Sequence, residues 1–296
     1  RLVMSFDYFR NTTKDQLMTI PLPASTGSED IVVNFGENQN VGYDFSVAGQ
    51  VIRSKNWAWT TVINGSHVKD RIKQISDKLK NTAYQLEEDN PLKLRFREGG
   101  SQYDIYAVRS AGIDPATGQE IFINKNGEYT FKYDAADEVV VGNTQPKLQG
   151  TWLNTLRYKG WSLNFVFSYT FGGDTYNKTL WEKVEDIDPR YNVDERAFTD
   201  RWKNPGDLSR YLAIKERRSM TPHNSERFVE RLNELWLSSA TLTYEFQPKF
   251  LKRLGFKRLA VGVGVSDIVR FSTVKYERGT SYPYCRTINL TFRPTF

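Results

Sequence analysis

Residues 161–171 read WSLNFVFSYTF, and every second residue in this stretch is aromatic or aliphatic. These residues are Trp161, Leu163, Phe165, Phe167, Tyr169 and Phe171. The residues between them are small and, apart from Val166, polar. Such alternation puts the two sets on opposite faces of a β-strand. Because a tilted strand of about 9–11 residues crosses a bilayer, the stretch predicts a membrane-spanning strand with its apolar face in lipid.

Similar stretches recur along the chain. Besides 161–171, they cover residues 1–9, 41–52, 57–67, 149–158, 236–246, 257–267 and 287–296. In the stretch 236–246, alternation predicts that Trp236 and Leu242 share the apolar face. The pattern is looser around Leu153 and Asn154. The sequence therefore predicts an all-β chain of eight antiparallel strands, one for each stretch.

The connections between these stretches alternate in length. The short ones are 53–56, 159–160 and 247–257, and the long ones are 11–40, 69–148, 172–235 and 268–284. Outer-membrane barrels have short periplasmic turns and longer extracellular loops, whereas loops this long are unusual in a compact soluble domain. The order therefore predicts an antiparallel transmembrane β-barrel with long extracellular loops.

Composition agrees with this interpretation. The net charge is +6 and the mean hydropathy is −0.58, and no apolar run reaches the roughly 18 residues of a membrane-spanning helix. Aromatic residues form 14% of the chain, which is typical of the aromatic girdles of a barrel. Basic residues are scattered among 35 acidic ones, which favours a solvated surface and no nucleic-acid partner.

Residue types that perform catalysis or bind metals are scarce. Cys285 is the only cysteine, and His67 and His223 are too few for a histidine-built zinc site. One loop holds four acidic residues whose spacing is not that of a calcium-binding loop, so we expect them to be solvated: Asp186, Asp188, Asp194 and Glu195. We expect no catalytic residues, no metal and no cofactor.

The long connections contain local signals. Residues 114–118, DPATG, predict a turn with Gly118 at positive φ. Asn126-Gly127 predicts a hairpin between two short apolar stretches. Helical spacing of three apolar residues predicts a short helix near 70–80. The chain also opens within an alternating pattern, so we expect further strands upstream.

Several segments, in order along the chain, resemble the SusC/RagA-like TonB-dependent transporters. They are Asp7-Tyr8-Phe9 with Thr13-Lys14-Asp15, 40–44 (NVGYD), 111–118 (AGIDPATG), 158–163 (YKGWSL) with Phe171-Gly172-Gly173, Arg201-Trp202 with Pro205-Gly206-Asp207, 237–244 (LSSATLTY) and the closing segments Tyr282-Pro283, Arg286-Thr287 and Leu290-Thr291-Phe292. Two features depart from the family pattern. Asp267-Ile268 stands where the family has Asn-Leu, and residues 82–110 match poorly.

The resemblance implies a barrel of 22 strands filled by an N-terminal plug, of which residues 1–296 would be the last eight strands, without the plug. It also implies outer-membrane localisation and uptake of oligosaccharides or peptides. The implied partners are a SusD-like surface lipoprotein that covers the barrel, the TonB complex acting through the absent plug, and outer-membrane lipid.

Candidate contact residues lie in the loop 172–235. Arg and Trp are frequent interface anchors, so Arg201, Trp202 and Asp207 are candidates for ligand or lipoprotein contacts. Trp181 and Tyr191 could stack on sugar rings. The alternative for these residues is packing within the loop, which we favour at this stage. Phe296, an aromatic residue ending an alternating strand, resembles the assembly signal of outer-membrane proteins.

Two other functions make different demands on the same residues. A secreted soluble β-protein that binds glycans would have to bury Trp161, Phe165 and Phe167 against a second sheet, whereas a barrel leaves them in lipid. A hydrolase would need a converging acid, base or metal cluster, and the sequence shows none. The sequence therefore favours a transporter and not an enzyme.

Overall fold

The computed structural model describes residues 1–21, 30–76, 97–188, 190–214, 224–246, 256–275 and 286–295. One antiparallel sheet contains eight strands: β1 (Leu2–Pro21), β2 (Asp30–Arg53), β3 (Trp57–Ile75), β9 (Leu148–Tyr158), β10 (Trp161–Tyr176), β11 (Val229–Glu245), β12 (Arg258–Ser272) and β13 (Ile288–Thr295). These strands lie side by side in chain order, as an up-and-down barrel wall requires. The eight predicted strands and the all-β class are therefore confirmed.

Smaller elements lie between these strands. Strands β4 (Asp104–Ala107) and β8 (Val139–Asn143) form one small sheet, and β5 (Arg109–Ile113), β6 (Glu120–Ile123) and β7 (Tyr129–Thr130) form another. The helical segments are α1 (Lys178–Leu180), a π-type turn at Trp181–Glu185, α2 (Arg196–Thr199) and 3₁₀ turns at Ala135–Asp137 and Glu226–Phe228. Among the described residues, no helix has the length and apolar character needed to span a bilayer.

The strand register joins the apolar residues of separate strands into one face. Leu163 lies opposite Leu156 and Leu242, and the row continues through Val263 to Leu290. We call this the apolar face, and its large side chains are exposed or only partly buried. Ten residue steps separate Trp161 and Phe171, so a strand tilted by about 40° spans a band about 25 Å high. That height matches the apolar band of an outer-membrane barrel.

The opposite face of the sheet is polar. The Ser46 hydroxyl donates to Asn64 Oδ1 at 2.7 Å, and Asn64 Nδ2 donates to Thr151 Oγ1 at 3.3 Å. Thr155 donates to Asn164 at 2.8 Å further down the same face. Side chains of neighbouring strands therefore satisfy one another across the polar face, which suits the interior of a barrel.

Aromatic pairs mark the end of the sheet that carries the short turns. The ring centroids of Trp57 and Tyr158 are 4.4 Å apart, and those of Trp161 and Tyr244 are 4.7 Å apart. Phe246 extends the group, 4.9 Å from Tyr244. Trp57, Tyr158 and Trp161 are the first or last residues of their strands, and Tyr244 and Phe246 lie on either side of Glu245, the last residue of β11. The rings therefore form a girdle of the kind found at a membrane interface.

Asn154 is a polar residue on the apolar face, and its neighbour explains how it is tolerated. Trp59 Nε1 donates to Asn154 Oδ1 at 3.0 Å, and the Asn154 side chain is almost fully buried. Beside it, Trp152 Nε1 donates to Thr61 Oγ1 at 2.8 Å. A polar group in hydrocarbon is costly unless paired, and the two indoles satisfy one oxygen each of Asn154 and Thr61. In the described structure Asn154 Nδ2 has no hydrogen-bond partner.

The face predicted for Trp236 is wrong. Trp236 lies opposite Ser168 on the polar face, because the register shifts between Leu237 and Ser239. The extra residue, Ser238, donates to Val166 O at 3.0 Å. A bulge of this kind moves the preceding residues to the opposite face. Strict alternation counted from Leu242 toward Trp236 does not predict this bulge.

The helix predicted near 70–80 is also wrong over its first half, because β3 continues to Ile75. Ile72 and Ile75 are both buried, and their three-residue spacing results from a register shift against Glu37 and Asn38. Residues 77–80 lie outside the described part of the chain. A bulged strand can therefore imitate helical periodicity over one turn.

The long connections are shorter than predicted. Strands β1 and β2 stay paired as far as Pro21 and Asp30, so most of the predicted loop 11–40 is strand. Similarly, β10 extends to Tyr176, β11 begins at Val229 and β12 extends to Ser272. The sheet therefore continues beyond the apolar band, and the strands carry the loops above it.

Two glycines on the apolar face allow close packing of an aromatic side chain. Gly65 and Gly150 are neighbours on β3 and β9, and Tyr169 of β10 lies across them with its hydroxyl donating to Asn64 O at 2.8 Å. A Cβ atom at Gly150 would lie 1.9 Å from Asn64 O and 2.7 Å from the Tyr169 hydroxyl oxygen. Glycine is therefore required where Tyr169 crosses the sheet.

We predict that Gly150→Ala destabilises the barrel by about 1–3 kcal/mol, because an overpacked site forces the backbone or Tyr169 to move. The measurement is the urea midpoint of the full-length receptor in detergent. Gly49→Ala is the matched control, since a Cβ there meets only Leu2 at 3.7 Å. Equal midpoints for the two variants would contradict this role of Gly150.

Candidate functional site in the outer loops

The long connections fold together at the end of the sheet opposite the short turns. We call the described residues of 97–147 and 177–228 the outer-loop body. The predicted turn at 114–118 and the predicted hairpin at Asn126-Gly127 are both confirmed within it, and Gly118 has a φ of +76°. Because loops held on a rigid sheet commonly carry binding function, this body is the candidate site.

A small hydrophobic core stabilises the body. Its buried members are Leu180, Val184, Ile187, Ala197, Tyr211 and Phe228. Tyr176, at the outer end of β10, packs against this core together with Trp181 and Val193. Asn177 caps the α1 turn by accepting from Leu180 N at 3.0 Å. The loop 172–235 therefore has a packed interior in its described part, which fixes the position of its surface residues.

A buried ion network joins the two loops. Arg227 Nη2 donates to Glu185 Oε1 at 2.7 Å and to Glu120 Oε2 at 3.1 Å. Both carboxylates are almost completely buried, and Glu120 also accepts from the Ser225 hydroxyl. Burial by itself would lower the pKa of Arg227, but Glu185 and Glu120 outweigh it and hold that pKa above its ordinary value. Arg227 is therefore charged and links residues of both loops.

Arg201 supports the backbone of its own loop. Its guanidinium makes four hydrogen bonds of 2.6–2.8 Å, all to carbonyl oxygens: those of Ala197, Leu212, Val184 and Glu185. Burial lowers the pKa of Arg201 from its ordinary value without removing its charge, since an arginine is protonated in proteins. The structure thus gives Arg201 a packing role, and a ligand contact by it stays a prediction.

Trp202 links two turns, and Asp207 stabilises one of them. Trp202 Nε1 donates to Pro115 O at 2.8 Å, and its ring occupies the space that a Cβ at Gly118 would need. Asp207 accepts from the backbone N–H groups of Lys203 and Asn204, and these bonds lower its pKa. Contacts of Trp202 and Asp207 with a ligand or partner stay predictions beside this observed packing.

Tyr191 differs from the other candidates because its side chain is 72% exposed. It follows a turn that is fixed by Arg190, whose guanidinium donates to both carboxylate oxygens of Asp188 at 2.6–3.2 Å. Trp181, by contrast, is partly buried against the hydrophobic core. Tyr191 is therefore exposed to solvent, whereas Trp181 contributes mainly to packing.

Two of the four acidic residues singled out in this loop, Asp188 and Asp194, each pair with an arginine. Asp188 binds Arg190, and Asp194 forms two bonds of 2.8 Å with the guanidinium of Arg196. The hydrogen bond from Arg196 lowers the pKa of Asp194 to about 2. Within the described ranges, no group of three or more His, Cys, Asp or Glu side chains has the geometry to hold a metal ion.

A trough lies on the polar face below the outer-loop body. It has a volume of about 570 Å³, and its floor carries hydroxyl and amide side chains such as Ser66, Gln149 and Thr170. Asp7 and Asp44, directly opposite each other on β1 and β2, form one side. The trough is thus lined by the polar face of five neighbouring strands, from β1 to β10.

Sequence analysis did not identify the ion network. Glu120 and Arg227 are 107 residues apart in the chain, and Glu185 and Arg227 are 42 residues apart. Glu120 precedes the apolar residues Ile121 and Phe122, whereas Glu185 lies between Val184 and Asp186 and Arg227 between Glu226 and Phe228, so only Glu120 has an apolar context. Such a signal indicates a buried charge but does not name its partner. The prediction for Phe296 lies outside the described residues.

No protein-family profile matches the sequence. Among curated proteins, the TonB-dependent receptor P39 of Formosa agariphila is 26% identical over an alignment of 315 positions, gaps included. The alignment covers 92% of this chain and 30% of that receptor. The TonB-dependent receptor P3 of the same organism is 26% identical over 293 residues, covering 92% of this chain and 28% of that receptor. The chain thus spans about 30% of the length of these relatives.

Among solved structures, the RagAB peptide transporter superimposes with a TM-score of 0.75 at 20% identity, covering 93% of this chain and 30% of that one. The RagAB peptide importer in its closed-closed state gives a TM-score of 0.68 over the same shares. At this level of identity the likeness concerns the fold.

The fold and these relatives indicate the class of protein: over 92% of its length the chain is similar to part of the proteins named TonB-dependent receptors, and its sheet has the fold of an outer-membrane β-barrel wall. The fold is similar to that of the RagAB transporter, in agreement with the segments of the sequence that resemble SusC/RagA-like transporters. The predicted family resemblance and the outer-membrane localisation are thereby confirmed. The predicted number of 22 strands stays a prediction.

We predict that Arg227→Met loosens the outer-loop body by about 3–5 kcal/mol, because Glu120 and Glu185 would remain buried without their cation. The measurement is the rate of proteinase K cleavage within residues 97–228 of the intact receptor. Lys178→Met is the control, since Lys178 pairs with Glu182 at an exposed site worth at most about 1 kcal/mol. Equal cleavage rates for the two variants would contradict a stabilising network.

Proposed function

We propose that this chain forms part of the wall and outer loops of a TonB-dependent importer that takes up oligosaccharides or peptides across the outer membrane. The observation that carries the proposal is the combination of a continuous apolar face, a polar opposite face and packed loops at one end. A transport barrel needs all three, because lipid surrounds it, solute passes through it and capture occurs at its mouth.

The open edges of the sheet support a larger barrel. Strands β1 and β13 are the two edges, and in the described sheet each pairs with one neighbour only. Within hydrocarbon, an edge with unpaired N–H and C=O groups is not stable. The eight strands therefore belong to a barrel completed by further strands, and we propose the plugged 22-stranded form with residues 1–296 as its last eight strands.

The proposed partners follow from the same assignment. A SusD-like surface lipoprotein would cover the mouth of the barrel, and the TonB complex would act through the plug. The relative named RagAB is a peptide transporter, which makes peptides one candidate ligand class, beside glycans. The named relatives are receptors and transporters, which supports transport and not enzymatic activity.

The alternative function, a secreted soluble β-protein that binds glycans, has less support. It requires a second layer over the apolar face. In the described part of the chain, Leu242, Val263 and Leu290 of that face are exposed. An apolar surface of this size is expected only where lipid or a partner covers it.

The test is growth of the host after deletion of the full-length receptor gene. A tryptic digest of casein and a mixture of maltooligosaccharides serve as separate sole nutrient sources. We expect growth on one of them to be lost and to return with the wild-type gene, but not in a host that lacks TonB. Undiminished growth and uptake on both sources would contradict the proposal.

We predict that Tyr191→Ala raises the nutrient concentration that half-saturates uptake by about tenfold or more, because exposed aromatic side chains are frequent binding anchors. Tyr129→Ala is the matched control, since Tyr129 is also 72% exposed on the outer-loop body. If both variants behave like the wild type, or fall equally, Tyr191 is not an anchor.

A further inference from the structure

A row of aromatic side chains ends the apolar face at its outer side. Tyr8 lies opposite Tyr43, and Tyr43 lies opposite His67 with 5.2 Å between the two ring centroids. His67 Nδ1 donates to Lys147 O at 2.6 Å, and Lys147 N donates to Phe171 O at 2.9 Å, which places His67 at the level of Phe171. Tyrosine rings favour the level of the lipid head groups. We call these side chains the outer aromatic row: Tyr8, Tyr43, His67 and Phe171.

Basic side chains follow directly beyond this row on the same face of the sheet. Arg10 of β1 and Lys69 of β3 lie on either side of Val41 of β2 in the strand register. They stand two residues beyond the outer aromatic row, which is about 7 Å along the strand. Arg71 follows on the same face of β3, and Lys73 lies at the next register shift. All four cationic side chains are exposed, and we call them the basic stripe.

The residues between the cations of β3 point to the other side of the sheet and are buried. Asp70 is 3% exposed and accepts from Gln102 N at 2.7 Å. Ile72 is fully buried, and its N–H donates to Gly100 O at 2.9 Å. The outer-loop body thus covers one side of β3, while the cations remain on the side that continues the apolar face. The carboxylate of Asp70 binds donors of the loop and lies away from the basic stripe.

Within the described ranges, the cations of the basic stripe have no carboxylate partner. Arg10 Nη2 donates to the neutral side chain of Gln39 at 3.4 Å, and the ion pairs of the described residues involve other lysines and arginines. Arg231 of β11, for example, pairs with Asp174 at 3.1 Å. Neighbouring like charges repel unless an anion lies between them. The basic stripe is therefore a cationic surface, just beyond the aromatic row, that is suited to bind an anion.

We propose that the basic stripe binds the phosphate of a glycolipid in the outer leaflet, whose acyl chains lie against the apolar face below. The order of surfaces along the wall matches such a molecule. The cations meet the phosphate, the outer aromatic row meets the sugar, and the apolar residues meet the acyl chains. Arg10 and Arg71 offer the planar N–H donors that suit phosphate, and Lys69 adds a point charge. This site goes beyond the importer function and does not depend on it.

A glycolipid fits this site better than a phospholipid or a free phosphate ion. Tyr8 is 68% exposed and lies two residues below Arg10 on the same face, and an exposed tyrosine presents an apolar ring and a hydroxyl to a sugar. The Cα atoms of Arg10 and Lys69 are two strands apart, which is about 10 Å, so a sugar phosphate can lie between them over Val41. A free ion would be held by the cations alone, without the aromatic row or the apolar face.

Titration of the lipid-depleted, full-length receptor with lipid A, followed by native mass spectrometry, tests the proposal. The variant carries Lys69→Gln, Arg71→Gln and Lys73→Gln, and we expect its Kd for lipid A to rise at least about tenfold, because each cation near a head group adds attraction. The matched control removes the same charge from exposed lysines of the outer-loop body: Lys125→Gln, Lys132→Gln and Lys203→Gln. We expect the control to bind within about twofold of the wild type, since the attraction falls off with distance from the head group. Equal Kd values for the two variants would overturn the proposal.

Two comparisons on the wild-type receptor keep the test independent of how the variants fold. Lipid A whose phosphates have been removed should bind at least about tenfold more weakly than intact lipid A, and added salt should weaken only the binding of the intact form. An excess of inorganic phosphate at constant ionic strength should not displace intact lipid A. Equal binding of both lipids would mean that apolar contact alone holds the lipid, and displacement by phosphate would mean a general anion site, so either result contradicts the proposal.

Discussion

Pairing of backbone N–H and C=O groups between strands is the interaction on which the rest of this structure depends. In hydrocarbon no water can replace a missing partner, so each strand must have a neighbour along its whole spanning length. Alternation then decides what each face meets, and Leu163, Leu156 and Leu242 align across three strands because the ladder fixes their register. Polar exceptions need local partners, as Asn154 finds in Trp59.

The outer loops are stabilised differently, because they lie outside the apolar band of the sheet and pack as a small soluble domain does. Their order comes from a compact apolar core and from charges that are buried only where they are paired. Arg227 binds the carboxylates of both Glu120 and Glu185, and the guanidinium of Arg201 donates to backbone carbonyl oxygens. Rigid loops of this kind suit capture, because a fixed surface loses little conformational entropy when it binds.

The sequence could predict the wall well and the loops poorly, for physical reasons. Alternation is a local property, so the eight strands and the turn at Gly118 were predictable, whereas the bulge at Ser238 depends on neighbouring strands and misplaced Trp236. Among the candidate site residues, Arg201 and Trp202 are residue types that are frequent at interfaces, but in the structure both are buried. Contacts such as Glu120 with Arg227 join distant positions, and no spacing rule in one sequence reveals them.

The central claim is that one face of the sheet lies in lipid and the other faces a watery interior. Nitroxide labels at Phe165→Cys and Ser168→Cys, in the full-length receptor with Cys285→Ser, test this claim directly in a bilayer. The account predicts that the label at 165 is reached by dissolved oxygen from the lipid, and the label at 168 by a water-soluble nickel complex. Labels that are inaccessible to both reagents at both positions would contradict the barrel and indicate a soluble sandwich.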